Sequence, residues 1–205
     1  MFKPRYIITS SILSKIAEIV EIKAAVERSR VLPLNEAKLR RQAILRMAHT
    51  STSIEGNKLA QFEVGKVFEG QIVRAPQKDI LEVENYLDGL KLLDKLSKSS
   101  GDLNLDEIMH AHKVVISGLV EKEKVGTIRP ADAYVLDDLG DGREMLRFKA
   151  PSASQVSKLL TDLLDWLKTA KKDGIHPILI AGIFHLEFVS IHPFTDGNGR
   201  VTRLL

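Results

Sequence analysis

Nine consecutive residues near the C-terminal end, HPFTDGNGR at positions 192–200, restrict the fold of this chain more than any other feature. They bring an imidazole, a carboxylate, a Gly-Asn-Gly turn and a guanidinium close together. Because glycine has no Cβ, the backbone N–H groups of such a turn can converge on one anion. The following segment, 200–205, has the composition of a helix start, and a helix N-terminus adds positive dipole there. The stretch therefore predicts an anion-binding loop that leads into a helix.

Two side chains of this stretch carry reactive groups. Asp196 suits Mg²⁺, which binds one or two carboxylates together with phosphate oxygens. His192 suits a base that accepts a proton from a hydroxyl near neutral pH. A histidine at a helix end, taken alone, is more often structural. Its combination with Asp196 and the glycines favours a site for phosphoryl or nucleotidyl transfer.

Residues 192–200 match the HPFx[DE]GNGR signature of Fic domains, and Arg203 matches the second arginine of its extended form. The preceding segment, 185–191, also resembles the helix that leads into the signature in that family. The resemblance implies an all-α, mainly helical fold with one small β-hairpin, called the flap. It also implies transfer of AMP from ATP, with Mg²⁺, to a Ser, Thr or Tyr hydroxyl of a target protein.

The resemblance assigns a role to most residues of the signature. His192 is the expected base, Asp196 is the expected ligand of Mg²⁺, and Phe194 is expected in the core. The glycines would contribute backbone N–H groups, the asparagine its side-chain amide and the arginines their guanidinium forks. These residues, expected to bind the phosphates of ATP, are Gly197, Asn198, Gly199, Arg200 and Arg203.

A second motif lies upstream. Ser51 and Glu55 are four residues apart and share one face of a helix, where the hydroxyl can hold the carboxylate. Together with Gly56 they match the [ST]xxxE[GN] inhibitory motif of many Fic proteins, in which the glutamate pairs with the second signature arginine, here Arg203. A carboxylate on Arg203 excludes a phosphate, so low basal transferase activity is predicted. Without the signature, the same residues would indicate only a helix end and a loop.

Apolar residues recur at helical spacing along most of the chain. Helices are predicted at 10–28, 35–49, 61–69, 77–96 and 104–117, between residues 152 and 174, and after Pro177. The segment after Pro177 is almost continuously apolar and is expected to be the buried central helix. We predict an N-terminal helical region, 1–70, that contains the inhibitory motif, and a Fic domain, 71–205. Since Fic domains usually continue with further helices, a truncated C-terminus is expected.

Helical periodicity disappears between residues 126 and 149. Two segments of strand-like composition, 134–136 and 144–148, flank a loop that contains Asp141 and Gly142, and they predict a β-hairpin. The element Gly126-Thr127-Ile128-Arg129 before it resembles the one that introduces the flap. The target protein is expected to dock on the 126–149 flap by strand addition.

Composition restricts the function further. The chain has 205 residues, 44% of them hydrophobic, which indicates one domain or one domain with a helical extension. The net charge of +3 is spread along the chain and does not indicate a nucleic-acid surface. The absence of cysteine excludes disulfides and thiolate metal sites. No apolar run is long enough to cross a bilayer and no signal peptide is recognisable, so a cytoplasmic protein without membrane contact is expected.

Several alternatives stay open. Glu55 could orient a water molecule, so that the same site removes AMP from a modified protein. The chain could instead be a nucleotide-sensing regulatory module, with nucleic acid bound only by a winged-helix part outside this sequence. Homodimerisation is also compatible with the family. His110 and His112 are two residues apart on a helix and point to different faces, so a shared metal is not predicted. His185 is predicted to be structural.

Overall fold

The structure is a computed structural model that describes residues 2–29, 33–98, 101–138, 140 and 142–205. These residues form a mainly helical domain with one two-stranded antiparallel hairpin, which confirms the predicted fold class. The elements are α1 (Ser10–Arg28), α2 (Pro33–Ile54), α3 (Gln61–Phe68), α4 (Gln77–Ser97), α5 (Leu105–Ile116), β1 (Tyr134–Asp138), β2 (Glu144–Lys149), α6 (Val156–Lys172), α7 (Pro177–Ile191) and α8 (Asn198–Leu204). Short 3₁₀ turns lie at Lys122–Lys124 and Ala153–Gln155.

The core surrounds the short helix α8, which contacts α2, α4, α5 and α7. Its apolar residues Val201 and Leu204 are 0% and 3% exposed. Helix α4 approaches α8 at Gly89, where an added Cβ would lie 2.9 Å from Leu204 Cδ2 and 3.1 Å from Val115 Cγ2. A larger residue at this position would force the side chains of Leu204 and Val115 to move. The loop before α8 is therefore positioned by the packing of four other helices.

Helix α2 is longer than predicted. The expected helix ended at residue 49, whereas the observed helix continues to Ile54 and includes the hydroxyl residues of the upstream motif. Thr52 Oγ1 donates to the carbonyl of Ala48 at 2.9 Å, and Ser51 and Thr52 are buried against the core. Tertiary packing here outweighs the low helix propensity of these residues. Gly56, with φ of +95°, follows the helix end.

Helix α7 is only partly buried, which corrects the prediction of a fully buried central helix. One stripe at three- and four-residue spacing faces the core, formed by Ile180, Phe184, Phe188 and Ile191. Leu186, on another face, is 70% exposed. The described residues cover only the side of α7 that meets α6 and α8. None of the helices in the described ranges combines the length and apolarity needed to cross a membrane.

The predicted hairpin is present. Strand β1 pairs with β2 in antiparallel register from Tyr134 opposite Lys149 to Asp138 opposite Glu144. A bulge between Val135 and Leu136 shifts the register and increases the local twist. Asp141 of the predicted turn lies outside the described residues.

Candidate functional site

His192 has an unusual backbone conformation. It caps the C-terminal end of α7 with φ of 50° and ψ of 60°, and it is the sole non-glycine residue with positive φ in the described part of the chain. A left-handed conformation costs roughly 1–2 kcal/mol for a residue with a Cβ. The backbone is held there by two bonds: its N–H donates to Phe188 O at 3.0 Å, and its carbonyl accepts from Arg129 Nε at 2.7 Å.

The His192 ring has one free nitrogen. Nδ1 lies 3.3 Å from the carbonyl of Val189, which assigns the proton to Nδ1 because a carbonyl can only accept. Nε2 then carries the lone pair. Burial lowers the pKa of His192 and the charge of Arg129 lowers it further, against opposing effects of the Val189 carbonyl and Glu55. The ring is therefore a neutral base with Nε2 as its basic atom.

Arg129 connects this histidine to the flap. Its guanidinium is 3% exposed and donates to the carbonyls of Ala131 at 2.7 Å, Pro151 at 2.5 Å and His192 at 2.7 Å. Its backbone N–H donates to Pro193 O at 2.9 Å. The sequence placed Arg129 in the element before the hairpin but gave it no role. The structure shows that it joins both ends of the hairpin to the left-handed turn.

Asp196 presents one free oxygen. Oδ1 accepts from Gly197 N at 2.5 Å and from Arg200 Nη2 at 3.0 Å, while Oδ2 accepts no hydrogen bond from the described residues. The side chain is 49% exposed. No group of three or more acidic or histidine residues capable of holding a metal occurs among the residues that the structure describes. One carboxylate fits Mg²⁺ when phosphate oxygens and water complete the coordination shell.

Local geometry favours glycine at two positions of the loop. Gly197 has φ of +79°, and an added Cβ would also lie 3.3 Å from Ile116 Cδ1. At Gly199 a Cβ would lie 2.5 Å from Glu55 Oε1 and 2.8 Å from Arg203 Nη1. The first N–H groups of α8, at residues 198–200, have no partner within the helix. They are the donors that this loop can offer to an anion.

Two signature side chains that were expected to bind phosphate have hydrogen-bond partners within the protein, and their role toward a phosphate stays a prediction. Asn198 is 4% exposed, and its amide bonds both backbone groups of Phe194, at 2.9 Å to the N–H and 2.8 Å to the carbonyl. These two bonds close the loop. Arg200 is 4% exposed and its two terminal nitrogens bind Glu82 and Asp196. Each terminal nitrogen of its guanidinium therefore binds a carboxylate in this structure.

The structure brings the upstream motif onto Arg203. Arg203 Nη2 donates to Glu55 Oε1 at 2.6 Å, and the two side chains are 22% and 28% exposed. Arg203 also donates to Ser51, from Nε to Oγ at 2.9 Å and from Nη2 to the carbonyl at 3.0 Å. The predicted bond from the Ser51 hydroxyl to Glu55 is replaced by these bonds to Arg203. Ser51 also hydrogen bonds the buried Tyr86, whose pKa burial raises.

His112 was missed as a site residue because its neighbour in sequence, His110, suggested only a metal pair. It is 1% exposed, accepts from Gly126 N at 3.0 Å through Nδ1 and donates to Asp196 O at 3.1 Å through Nε2. Its ring stacks on Phe194 with centroids 3.7 Å apart. Burial lowers the pKa of His112 to about 4, so the ring is neutral. Its position four residues after the buried Ile108 was the available sequence signal.

Replacing His112 by phenylalanine should preserve the stacking but leave two backbone groups without partners. Each unsatisfied buried group costs about 1–3 kcal/mol, so a loss of free energy of unfolding in that range or above is expected. Urea unfolding measures it. His110→Phe, at an exposed position of the same helix, is the matched control. Equal stability of the two variants would show that these hydrogen bonds contribute nothing.

Comparison with known proteins gives consistent results. A sequence model of the Fic/DOC family matches residues 102–205. Protein adenylyltransferase fic-1 of Caenorhabditis elegans is 34% identical over 172 residues, which are 82% of this chain and 31% of that protein. Protein adenylyltransferase Fic of Nematostella vectensis is 30% identical over 169 residues, which are 80% of this chain and 37% of that protein. The chain thus spans about a third of the length of these curated relatives.

Solved structures agree with the sequence comparison. A Fic family protein from Desulfovibrio desulfuricans G20 has a TM-score of 0.80 and 34% identity, covering 99% of this chain and 58% of that chain. A fragment of Fic-1 from C. elegans has a TM-score of 0.74 and 25% identity, covering 96% of this chain and 57% of that chain. The boundary near residue 70 stays a prediction. The signature, the fold and the family match together establish that this chain belongs to the Fic/DOC family.

Proposed function

We propose that this chain carries the catalytic site of a protein adenylyltransferase, which transfers AMP from ATP to a protein hydroxyl and is autoinhibited by Glu55. One observation supports this most directly: a neutral base and a carboxylate with one free oxygen lie on the same loop, at His192 and Asp196. The two curated relatives described above are both named protein adenylyltransferases, which points to the same reaction.

The reaction needs a base and a place for negative charge. His192 Nε2 would accept the proton of the attacking Ser, Thr or Tyr hydroxyl as its oxygen bonds the α-phosphorus, and pyrophosphate would leave. Asp196 Oδ2 would hold Mg²⁺, which supplies charge neutralisation for the leaving phosphates. The free N–H groups of residues 198–200 would bind phosphate oxygens. Catalysis by this site would rest mainly on positioning and on electrostatic stabilisation.

Arg203 would bind the outer phosphates once Glu55 has left it. The guanidinium now gives Nη2 to Glu55 and Nε to Ser51. A carboxylate 2.6 Å away both neutralises the arginine and fills the space next to Gly199. A nucleotide could still reach the loop, but its phosphates could not pair with Arg203. This contact is the proposed cause of low basal activity.

The flap would bind the target protein. Its exposed side chains include four large hydrophobic ones, those of Tyr134, Met145, Leu146 and Phe148. Arg129 holds the base of this hairpin against the carbonyl of His192. An extended target segment that pairs with the hairpin would thereby be placed at a fixed distance from the proposed base.

Intact-mass spectrometry of the Glu55→Gly protein incubated with Mg-ATP tests the proposal without knowledge of the target, because self-modification reports transfer. The expected product carries added AMP. An ATP analogue with a carbon bridge between the α- and β-phosphates is the control and should give no adduct. A phosphate adduct would refute nucleotidyl transfer, and the absence of any adduct together with absent ATP binding would refute the site.

The pH dependence of transfer should report the lowered pKa of His192. The reaction needs the neutral ring, and protonation removes the lone pair of Nε2. Because burial lowers this pKa from its usual value of 6.5, the activity should be lost only as the pH falls below 6.5. The acid limb of kcat/KM, measured with the Glu55→Gly protein, should therefore have its midpoint below that value. A midpoint above pH 6.5 would contradict the assignment of His192 as a desolvated base.

A further inference from the structure

A buried ion pair connects the candidate cation ligand to helix α4, and the proposed function gives it no role. Arg200 Nη1 donates to Glu82 Oε1 at 2.5 Å, while Arg200 Nη2 donates to Asp196 Oδ1 at 3.0 Å. The side chains of Arg200 and Glu82 are 5% and 7% exposed, whereas that of Asp196 is 49% exposed. The guanidinium thus extends from a carboxylate in the interior to one at the surface.

Glu82 is itself held in place. Its second oxygen, Oε2, accepts from Asn57 Nδ2 at 2.8 Å. The same Asn57 amide donates to Asp79 O at 2.9 Å and accepts from Leu59 N at 3.0 Å. Asn57 directly follows Gly56, so this network begins at the turn after the inhibitory motif. Both oxygens of Glu82 therefore accept a hydrogen bond, one from Asn57 and one from Arg200.

A buried ion pair needs a reason beyond stability, because apolar residues of similar volume often stabilise a core equally well. The reason here lies in how the two terminal nitrogens of Arg200 are divided between two carboxylates. A guanidinium readily binds both oxygens of one carboxylate. Because Glu82 engages Nη1, Asp196 receives only Nη2, and that bond ends on Oδ1. Oδ2 is left available.

We propose that Glu82 is a positioning residue: by binding Nη1 of Arg200, it keeps Asp196 Oδ2 free for a divalent cation. Asn57 couples this arrangement to the turn after the inhibitory motif. Without the charge of Glu82, both terminal nitrogens of Arg200 can bind Asp196, and the guanidinium then competes with the cation for the carboxylate. The inference rests on the proposed function, since the cation is expected to bind together with ATP.

Calorimetric titration of ATP tests the proposal, once in EDTA and once over a series of Mg²⁺ concentrations. Both Glu82→Gln and its control are made in the Glu55→Gly protein. For Glu82→Gln we expect unchanged ATP affinity in EDTA and a Mg²⁺ requirement raised by about tenfold or more, the usual effect of removing a residue that orients a metal ligand. The control is Glu84→Gln, an exposed glutamate two residues along α4, which should shift neither value.

Removing one partner of a buried pair is strongly destabilising, so a second variant leaves the pair intact. Asn57→Ala removes one hydrogen bond from Glu82 and should raise the Mg²⁺ requirement in the same direction by a smaller factor. Equal loss of ATP affinity in EDTA and in Mg²⁺, or an unchanged Mg²⁺ requirement in Asn57→Ala, would overturn the proposal. If the Glu55→Gly protein itself bound no ATP in either condition, the proposed function would fail, and this inference with it.

Discussion

Replacing His192 by alanine should reduce AMP incorporation by the Glu55→Gly protein by about 10²–10⁴-fold, the range that a positioned general base contributes. The free Nε2 of this ring is the atom proposed to accept the proton, because Nδ1 is committed to the carbonyl of Val189 at 3.3 Å. The loss should appear in kcat, since the ring has no part in holding the phosphates. Incorporation of label from ATP labelled at the α-phosphate measures it.

Two further variants separate chemistry from folding. His192 is in a left-handed conformation, which asparagine adopts more readily than alanine does. His192→Asn should therefore fold as well as the parent and still be inactive, because an amide is not a base. His185→Ala removes an exposed histidine from the same helix and should retain activity. A folded His192→Asn protein with undiminished incorporation would refute the assignment of the base.

The second large effect is expected at the contact between Glu55 and Arg203, which is proposed to be inhibitory. Glu55→Gly should raise incorporation by at least about tenfold over wild type, since a hydrogen bond between charged groups contributes about 1.5–3 kcal/mol. The physical reason is that Arg203 regains Nη2, which Glu55 now holds at 2.6 Å, and that the space beside Gly199 opens. Incorporation by the two proteins is compared at the same concentrations of Mg-ATP and protein.

Glycine also loosens a helix end, so the comparison needs a matched control. Ser53→Gly introduces glycine into the last turn of α2 at an exposed position and leaves Glu55 in place. Its activity should stay at the wild-type level. A rise of equal size in both variants would mean that flexibility of the helix end, rather than the carboxylate, controls the activity.

Local patterns in the sequence were sufficient to predict most of the helices. The bounds of α1 were predicted correctly from its apolar spacing. The end of α2 was not, because its hydroxyl residues favour a helix end locally while burial of Ser51 and Thr52 holds them in the helix. The burial of α7 was overestimated for a related reason: an apolar sequence shows that a helix can be covered, not that a neighbouring element covers it.

In the candidate site, too, local patterns predicted some features, while others depend on contacts between distant residues. The signature predicted the loop, the left-handed residue excepted, and the upstream motif predicted the contact between Glu55 and Arg203. Asn198 and Arg200 were predicted to bind phosphate because both residues are typical phosphate ligands by residue type. The sequence did not predict their partners within the protein, and one of these, Glu82, is 118 positions away from Arg200. His112 and Glu82 carry no motif, so only the packing of separate helices identifies them.

Helix α8 has seven residues, yet it carries the two signature arginines and two of the best-buried side chains of the domain, Val201 and Leu204. The same short helix thus packs into the interior and carries the glycine-containing loop at its N-terminal end. The absence of a side chain at Gly89 sets how closely α4 can approach α8. A change in this interior packing would therefore also displace the loop at the start of α8.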